Sequence, residues 1–388
     1  MNIFERDRAV IAPTYARFPV AITSGSGSLL YDENGKRYID MGSGIGVTAF
    51  GHADHEWVAA VTDQLLRVSH TSNLYYTEPC VRLAELLTER TGLSRVFFSN
   101  SGAEANECAI KAARKYAQTK YGDDRHAIIT LENSFHGRTL TTLAATGQAH
   151  YHELFSPLTP GFYSGSATDL HALKTLCKEK NAAAVMIECI RGEGGVLPLD
   201  HEFAKELSAF CKSEDILLIV DEVQTGNGRT GAFYCYMNYG IEPDIVTTAK
   251  GLGGGLPIGA TLLGEKVKDV FSFGDHGSTF GGNPAAAAGA VSIVSRIDEQ
   301  MLSEVRRKSE LVFNRLSDKK GILSVSGMGL MLGISTARDA KDIVREALDA
   351  GVLCLTAKDK VRLLPALNIP DELLTEALDI ICDIAAKR

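Results

Sequence analysis

The chain lacks several features, and each absence narrows what it can be. No apolar run approaches the length of a membrane span, and the N-terminal MNIFERDRAV has charges where a secretion signal needs an apolar core. No membrane partner is expected, and the expected compartment is the cytoplasm. The eight cysteines (Cys80, Cys108, Cys177, Cys189, Cys211, Cys235, Cys354 and Cys382) form no C-x-x-C pair and no zinc spacing. No metal site is expected from them, and they read as buried free thiols in a reducing compartment. Basic residues are in deficit, with a net charge of −8. That balance excludes a nucleic-acid footprint but leaves room for a local basic pocket that takes small anions. No G-x-x-x-x-G-K-[ST] loop is present, so a P-loop ATPase lacks its phosphate site. GLGGGLPIG has the look of a dinucleotide loop, yet no register of it reads G-x-G-x-x-G.

What is present is an ordinary globular composition, 45% hydrophobic and 23% charged over 388 residues. That length suits two domains, or one large α/β domain with an appendage. From Arg95 onward short apolar runs alternate with helical stretches: RVFFSN, HAIITLE, AAAVMIEC, ILLIVDE, DIVTTAK and IGATLLGE are the expected strands. This alternation predicts an α/β fold with a mostly parallel sheet covered by helices. The expected division is an N-terminal segment 1–50, a large cofactor-binding domain 51–280 and a smaller α+β domain 281–388. In the first segment Asn34-Gly35 predicts a positive-φ hairpin turn. A helix is expected over Glu56–Val68, and one long helix over NPAAAAGAVSIVSRIDEQ. Strands are expected near LMLGIS, GVLCL and VRLLPAL in the last segment.

The chemistry gathers at strand ends. Asp221 closes ILLIVD and Lys250 follows DIVTTA, so an acid and an amine reach a common edge of the sheet, where open α/β sheets bind ligands. Either residue alone has a plainer explanation: a metal-holding carboxylate of an ATPase, or a solvated lysine. Together they suit a pyridoxal cofactor, the lysine for its aldehyde and the acid for its ring nitrogen. FFSNSGAEANECAIK reads as strand, tight turn and helix, with Ser99, Asn100 or Ser101 as cap. The N–H groups of Gly102 and Ala103 there face an anion. Ser278 and Thr279, in GSTFGGNP, are a second candidate anion contact. Phe135 and Arg138 in FHGR bring a ring and a guanidinium to the same edge, the latter suited to a carboxylate.

SNLYYTEP, NSGAEANE, ENSFHGRT, GEGGV, DEVQTGNGRTG, AKGLGGGLPIGA, HGSTFGGNP and RLLPALNI occur in this order. From about Tyr15 to the C-terminal helix the chain resembles the class III, or ω-amino acid, pyridoxal-phosphate aminotransferases. The resemblance implies the fold-type I architecture: a large domain on a mostly parallel seven-stranded sheet, with a smaller α+β domain. It also implies a homodimer whose active sites lie at the subunit interface. By resemblance Lys250 binds the pyridoxal 5'-phosphate aldehyde, Asp221 pairs with its ring nitrogen, and Gln224 bonds its hydroxyl. Phe135 and Val223 cover the ring faces. Ser101, Gly102 and Ala103 cradle the phosphate, with Thr279 supplied by the partner. Arg138, with Ser278 nearby, receives the donor's carboxylate, and Glu193 with Arg362 acts as a switch between half-reactions. Two residues depart from the usual EPIQGEGG: Cys189 and Arg191 flank the switch glutamate. Within the family, SNLYYTEP and ENSFHGRT favour N-acetylornithine as donor and 2-oxoglutarate as acceptor. Ornithine, 4-aminobutyrate, succinylornithine and succinyldiaminopimelate are the rival donors, and an aminomutase is the rival chemistry. A dimer that keeps the fold without the reaction is opposed by Lys250, Asp221 and the phosphate turn together.

Overall fold

Seven strands make the central sheet, in the spatial order Arg95–Ser99, Gly259–Leu263, Ile245–Thr248, Leu217–Asp221, Ala182–Ile187, Ala127–Leu131 and Phe162–Gly165. The structure is a computed structural model that describes residues 2–387. Adjacent strands are parallel from Ile245–Thr248 to the Phe162–Gly165 edge. Gly259–Leu263 runs antiparallel to both its neighbours. The middle strands are buried along their whole length, which is why they read as continuous apolar runs rather than alternating ones.

Alternate residues of those strands serve different layers, as a two-residue period requires. Val185, Ile187, Leu218 and Val220 join one core with Leu173 of the helix Leu170–Glu179 and Leu207 of the helix His201–Ser213. Ala184, Met186, Leu217 and Ile219 join a second core with Ala109, Ile110 and Ala113 of the helix Gly102–Tyr121. Small side chains on that helix let it lie close against the sheet. The helix Pro284–Arg296 packs on His55–Arg67 and Glu78–Thr91, and Asp54 caps the first of these while pairing with Arg296 at 2.7 Å. Ser99, Leu131, Ile187, Asp221 and Thr248 all end their strands at one edge of the sheet.

Two smaller sheets flank this layer. Ile22–Ser26, Leu29–Asp32 and Arg37–Asp40 form an antiparallel meander, and Val352–Leu353 adds to it in parallel, pairing Ile39 with Val352. Ile322–Met328, Met331–Thr336, Lys360–Leu363 and Leu355–Ala357 form a four-stranded antiparallel sheet, packed by the helices Glu299–Leu316 and Ala340–Asp349. The helix Asp371–Ala385 packs in turn on those two.

Three local expectations change. At the hairpin only Gly35 has a positive φ, of 77°. The loop is set instead by the Asp32 carboxylate, which accepts from the N–H groups of Asn34 and Lys36 at 2.9 Å. The long helix after Asn283 is two helices, because Asp298 captures the Met301 N–H at 2.8 Å and starts Glu299–Leu316 anew. The strands Ile22–Ser26, Phe162–Gly165 and Ile322–Met328 lie where no strand was expected. Seven of the eight cysteines are buried and all eight are free thiols, with Cys80 half-buried. Among the described residues no helix is long and apolar enough to cross a membrane.

Candidate active site

Ser101, Gly102, Ala103, Phe135, Arg138, Asp221, Val223, Gln224 and Lys250 line one cavity of about 480 Å³ at the carboxyl edge of the central sheet. They come from four separate strand ends and meet only because those strands stop together at one edge.

Asp221 is 4% exposed and has three donors. The Val223 N–H donates to Oδ1 at 3.0 Å, while Asn106 Nδ2 and His136 Nδ1 both reach Oδ2 at 2.8 Å. With a carboxylate as partner, Nδ1 of His136 carries the proton. Asn106 Nδ2 also donates to the His136 carbonyl at 2.8 Å, and Thr247 Oγ1 donates to Asn106 Oδ1 at 2.6 Å. Sequence reasoning missed both Asn106 and His136. The available signal was a lone amide on the buried, alanine-rich face of a helix, and a histidine inside the FHGR segment already singled out.

Lys250 opens the short turn Lys250–Leu252 with φ at 46°, a left-handed conformation that costs a residue with a Cβ about 1–3 kcal/mol. Asn227 holds the preceding strand end in place, its Nδ2 donating to Thr248 Oγ1 at 2.9 Å and to the Ala249 carbonyl at 3.3 Å. The Lys250 amine makes no hydrogen bond or ion pair among the described residues. Burial pulls its pKa below the usual lysine value; Glu193 and Asp221 oppose that shift and Arg362 adds to it.

The helix Gly102–Tyr121 is capped by Ser101, whose Oγ accepts the Glu104 N–H at 3.2 Å. Glu104 reaches back to the Asn100 N–H at 2.7 Å, a reciprocal cap. First-turn N–H groups have no intrahelical acceptor, and those of Gly102 and Ala103 belong to the cavity wall.

Phe135 is tied in through its N–H, which donates to Glu188 Oε2 at 2.9 Å. Glu188 is a buried carboxylic acid on the cavity wall. Burial pushes its pKa up to about 7, with the Asp221 charge adding to the rise and His136 opposing it. Arg138 is exposed and makes no ion pair among the described residues.

Glu193 and Arg362, far apart in sequence, are brought together. Arg362 Nη1 donates to Glu193 Oε1, and at 3.3 Å to Gln224 Oε1, while Gln224 Nε2 donates to the same Glu193 oxygen at 3.3 Å. Burial raises the Glu193 pKa, but the Arg362 charge and hydrogen bond outweigh it and leave it below the usual carboxylate range. The two departures from the family pattern do not touch this pair. The Cys189 carbonyl accepts from Tyr239, and Arg191 Nη1 donates to the Glu132 carbonyl at 3.1 Å.

Ser278 and Thr279 do not line the cavity. Ser278 Oγ accepts from Asn100 Nδ2 at 3.1 Å, and Asn73 Nδ2 donates to the carbonyls of Ser278 and Gly281. Thr279 is exposed, as are Phe280 next to it and Leu74, Tyr75 and Tyr76 next to Asn73.

Residues 10–385 match the sequence profile of the family Aminotransferase class-III. The chain belongs to this family. Among curated proteins it is 48% identical over 388 residues to the acetylornithine aminotransferase of Haemophilus ducreyi, covering 100% of this chain and 99% of that protein. To the acetylornithine aminotransferase of Methanocaldococcus jannaschii it is 45% identical over 374 residues, 94% of each. The crystal structure of ornithine aminotransferase from Toxoplasma gondii superposes with a TM-score of 0.94 at 33% identity, covering 98% of this chain and 94% of that one. N-acetylornithine aminotransferase from Stenotrophomonas maltophilia gives 0.84 at 36% identity, covering 96% and 97%. A second structure of the Toxoplasma enzyme, 32% identical with a TM-score of 0.93 over 99% of this chain and 93% of that one, holds pyridoxal phosphate at partial occupancy in its active site. The architecture of this class III aminotransferase is thus the expected fold-type I one, and its cofactor is pyridoxal phosphate.

The donor set fits that group. A carboxylate with three fixed donors, an amine with no partner and a helix N-terminus share one cavity, which is what a cationic ring, an aldehyde and a phosphate require. The close approach of Gly102 to Val223 belongs to the same fit, since a Cβ on Gly102 would lie 2.6 Å from Val223 Cγ1.

Behind Asp221 the class III aminotransferase buries a second acid. Glu222 accepts from Thr225 Oγ1 at 2.6 Å and from the Tyr236 N–H at 2.8 Å. Burial, with the Asp221 charge adding, lifts its pKa from 4.5 to about 7. The folded state therefore holds this proton more tightly than the unfolded chain. Its contribution to stability is complete below 4.5 and is lost as pH rises through about 7. Urea unfolding of wild type and Glu222→Gln should show the wild-type advantage shrinking by on the order of 3 kcal/mol from about pH 4 to about pH 8. A difference that stays flat with pH would refute the assignment.

Proposed function

We propose that this class III aminotransferase transfers the terminal amine of N-acetylornithine to 2-oxoglutarate, giving N-acetylglutamate 5-semialdehyde and glutamate, as a cytoplasmic step of arginine biosynthesis. The observation that carries the reading is the shared cavity of Lys250 and Asp221, with Arg138 unpaired on its wall and Arg362 paired beside it. Lys250 would hold the cofactor's aldehyde carbon, Asp221 its ring nitrogen and Gln224 its hydroxyl. Phe135 and Val223 would hold its ring faces, and Ser101, Gly102 and Ala103 its phosphate. Bound there, pyridoxal phosphate supplies a conjugated ring that takes up the electron pair left when a proton leaves the amine-bearing carbon.

The residues divide the remaining work. Asp221, clamped by Asn106 and His136, keeps a proton on the ring nitrogen by pairing with it. Once the donor's amine has displaced it from the aldehyde carbon, the freed Lys250 Nζ, with its pKa lowered by burial, would take the proton from the donor's amine-bearing carbon and return it two bonds away, on the cofactor side. In N-acetylornithine the reacting end carries no carboxylate, so only Arg138 is needed, at the far end. Acylation also removes the α-ammonium charge, and the neighbours of Arg138 are the rings of Phe135 and Tyr151 rather than an acid. This favours the acylated donor over ornithine. 2-Oxoglutarate has a second carboxylate beside its keto carbon, and Arg362 is the cation for it once Glu193 yields. One pocket then serves two substrates by charge masking.

Borohydride treatment of the purified protein should fix the cofactor covalently on Lys250, and the same preparation should use N-acetylornithine in preference to ornithine, succinylornithine, succinyldiaminopimelate and 4-aminobutyrate. An adduct on another lysine overturns the site; a different preferred donor overturns the substrate.

The homodimer belongs to the same proposal. Asn73 fixes Ser278 and Gly281 beside the exposed Leu74, Tyr75, Tyr76 and Phe280, an apolar surface of the kind that marks an interface. Thr279 lies on it, outside its own chain's cavity, where it would serve the partner's phosphate. Mixing Lys250→Ala with Thr279→Ala protein should form heterodimers with one intact site. Re-formed heterodimers no more active than either impaired parent would refute the shared site.

Glu193→Ala should leave Arg362 unmasked in the first half-reaction and shift preference toward glutamate over N-acetylornithine. A charge-assisted contact of about 1.5–3 kcal/mol makes that shift roughly ten- to a hundredfold. Single-turnover rates of the two half-reactions are the measurement, and equal losses in both would make the pair merely structural.

A further inference from the structure

Arg138 has aromatic company and, among the described residues, no ion pair. Its guanidinium carbon lies 4.7 Å from the centroid of the Tyr151 ring and 5.9 Å from that of Phe135. The two rings meet edge to face, with centroids 5.6 Å apart. Phe135 and Arg138 line the cavity, whereas Tyr151 stands behind them. A guanidinium within about 6 Å of a ring centroid is attracted to the negative ring face. A guanidinium laid flat on such a ring keeps its N–H fork free for a carboxylate.

Tyr151 is placed by a built anchor. It ends the turn Ala149–Tyr151, and its N–H donates to the Gln148 carbonyl at 3.1 Å. Gln148 is buried and donates from Nε2 to the Ser134 carbonyl at 3.1 Å, while the Gly147 N–H donates to Ser134 Oγ at 3.2 Å. A Cβ on Gly147 would lie 2.1 Å from the Leu131 carbonyl oxygen, so the backbone comes this close only as glycine. Ser134 immediately precedes Phe135. The same bonds therefore register the Tyr151 ring against the loop that carries Arg138.

We infer that Tyr151 is a positioning residue for donor specificity: its ring holds the Arg138 guanidinium so that the fork faces the carboxylate of an acylated diamino acid. An exposed arginine otherwise spreads over many rotamers, and ordering it on binding weakens the complex. A tyrosine ring with two torsions is a stiff support. The inference rests on the reading of Arg138 as the donor's carboxylate receptor.

The test uses the holoenzyme with N-acetylornithine as donor. Tyr151→Leu should lower kcat/KM about three- to tenfold, carried by KM, with kcat changed by less than about twofold. Tyr151→Phe keeps the ring and should stay within about twofold of wild type. Pentafluorophenylalanine at position 151 keeps the shape but empties the ring face of negative charge, and should behave as leucine does. In an Arg138→Ala background, Tyr151→Leu should cause no further loss. Wild-type behaviour of the leucine and fluorinated variants overturns the inference. So does a Tyr151→Phe loss equal to that of leucine, or full additivity with Arg138→Ala. Wild-type protein that ignores N-acetylornithine overturns the donor reading and this inference with it; normal wild-type turnover with unresponsive Tyr151 variants overturns the inference alone.

Discussion

The Asp221 carboxylate accepts from Asn106, His136 and the Val223 N–H, and each donor arrives from a different part of the chain. Asn106 sits on the helix Gly102–Tyr121, His136 follows one strand and Val223 begins the loop after another. A buried anion is tolerated only when such donors replace its water. Because Asn106 also bonds the His136 carbonyl and Thr247, loss of one member leaves the others unsatisfied in a dry place. The cluster thus joins the buried acid, the helix Gly102–Tyr121 and the strand leading to Lys250 into one hydrogen-bonded unit. Everything the cavity does assumes that unit.

Around it the charges are graded rather than uniform. Glu188 and Glu222 are acids whose pKa values burial has lifted, while Glu193 is held below its ordinary range by Arg362. Lys250, between Glu193 and Asp221, feels both anions and the opposing Arg362. Gln224 is the hinge of this gradation, bonding Glu193 through its nitrogen and Arg362 through its oxygen. A neutral amide can satisfy an acid and a base together. It contributes no charge of its own, so the charge on this side is that of Glu193 and Arg362 alone.

Much of this was legible in the chain before any coordinates. Strands buried on both faces are written as unbroken apolar runs, so ILLIVD and DIVTTA announce themselves and their end residues with them. Glycine turns beside Ser101 and Lys250 mark where backbone must come close. The illegible parts depend on partners distant in sequence. Asn106 becomes meaningful only when the fold sets Asp221 beside it. Arg362 and Glu193 could be paired by resemblance, but nothing in the residues near either one names the other. Local competition misled the reading elsewhere: helical periodicity continues through Ile297, yet the Asp298 side chain takes a backbone N–H and restarts the helix. Ile322–Met328 was hidden because half-polar ILSVSGM has neither an apolar run nor clean alternation.

The parallel pairing of Ile39 with Val352 sets a timetable for the growing polypeptide. Val352–Leu353 is the edge strand that covers Arg37–Asp40, so a strand made early is completed by one made about 310 residues later. At synthesis rates of about 5–20 residues per second, the early meander waits roughly 15–60 s with one side open. An uncovered strand side is a template for pairing with another chain. For that interval the open side of the meander is exposed to pairing with any neighbouring chain in place of Val352.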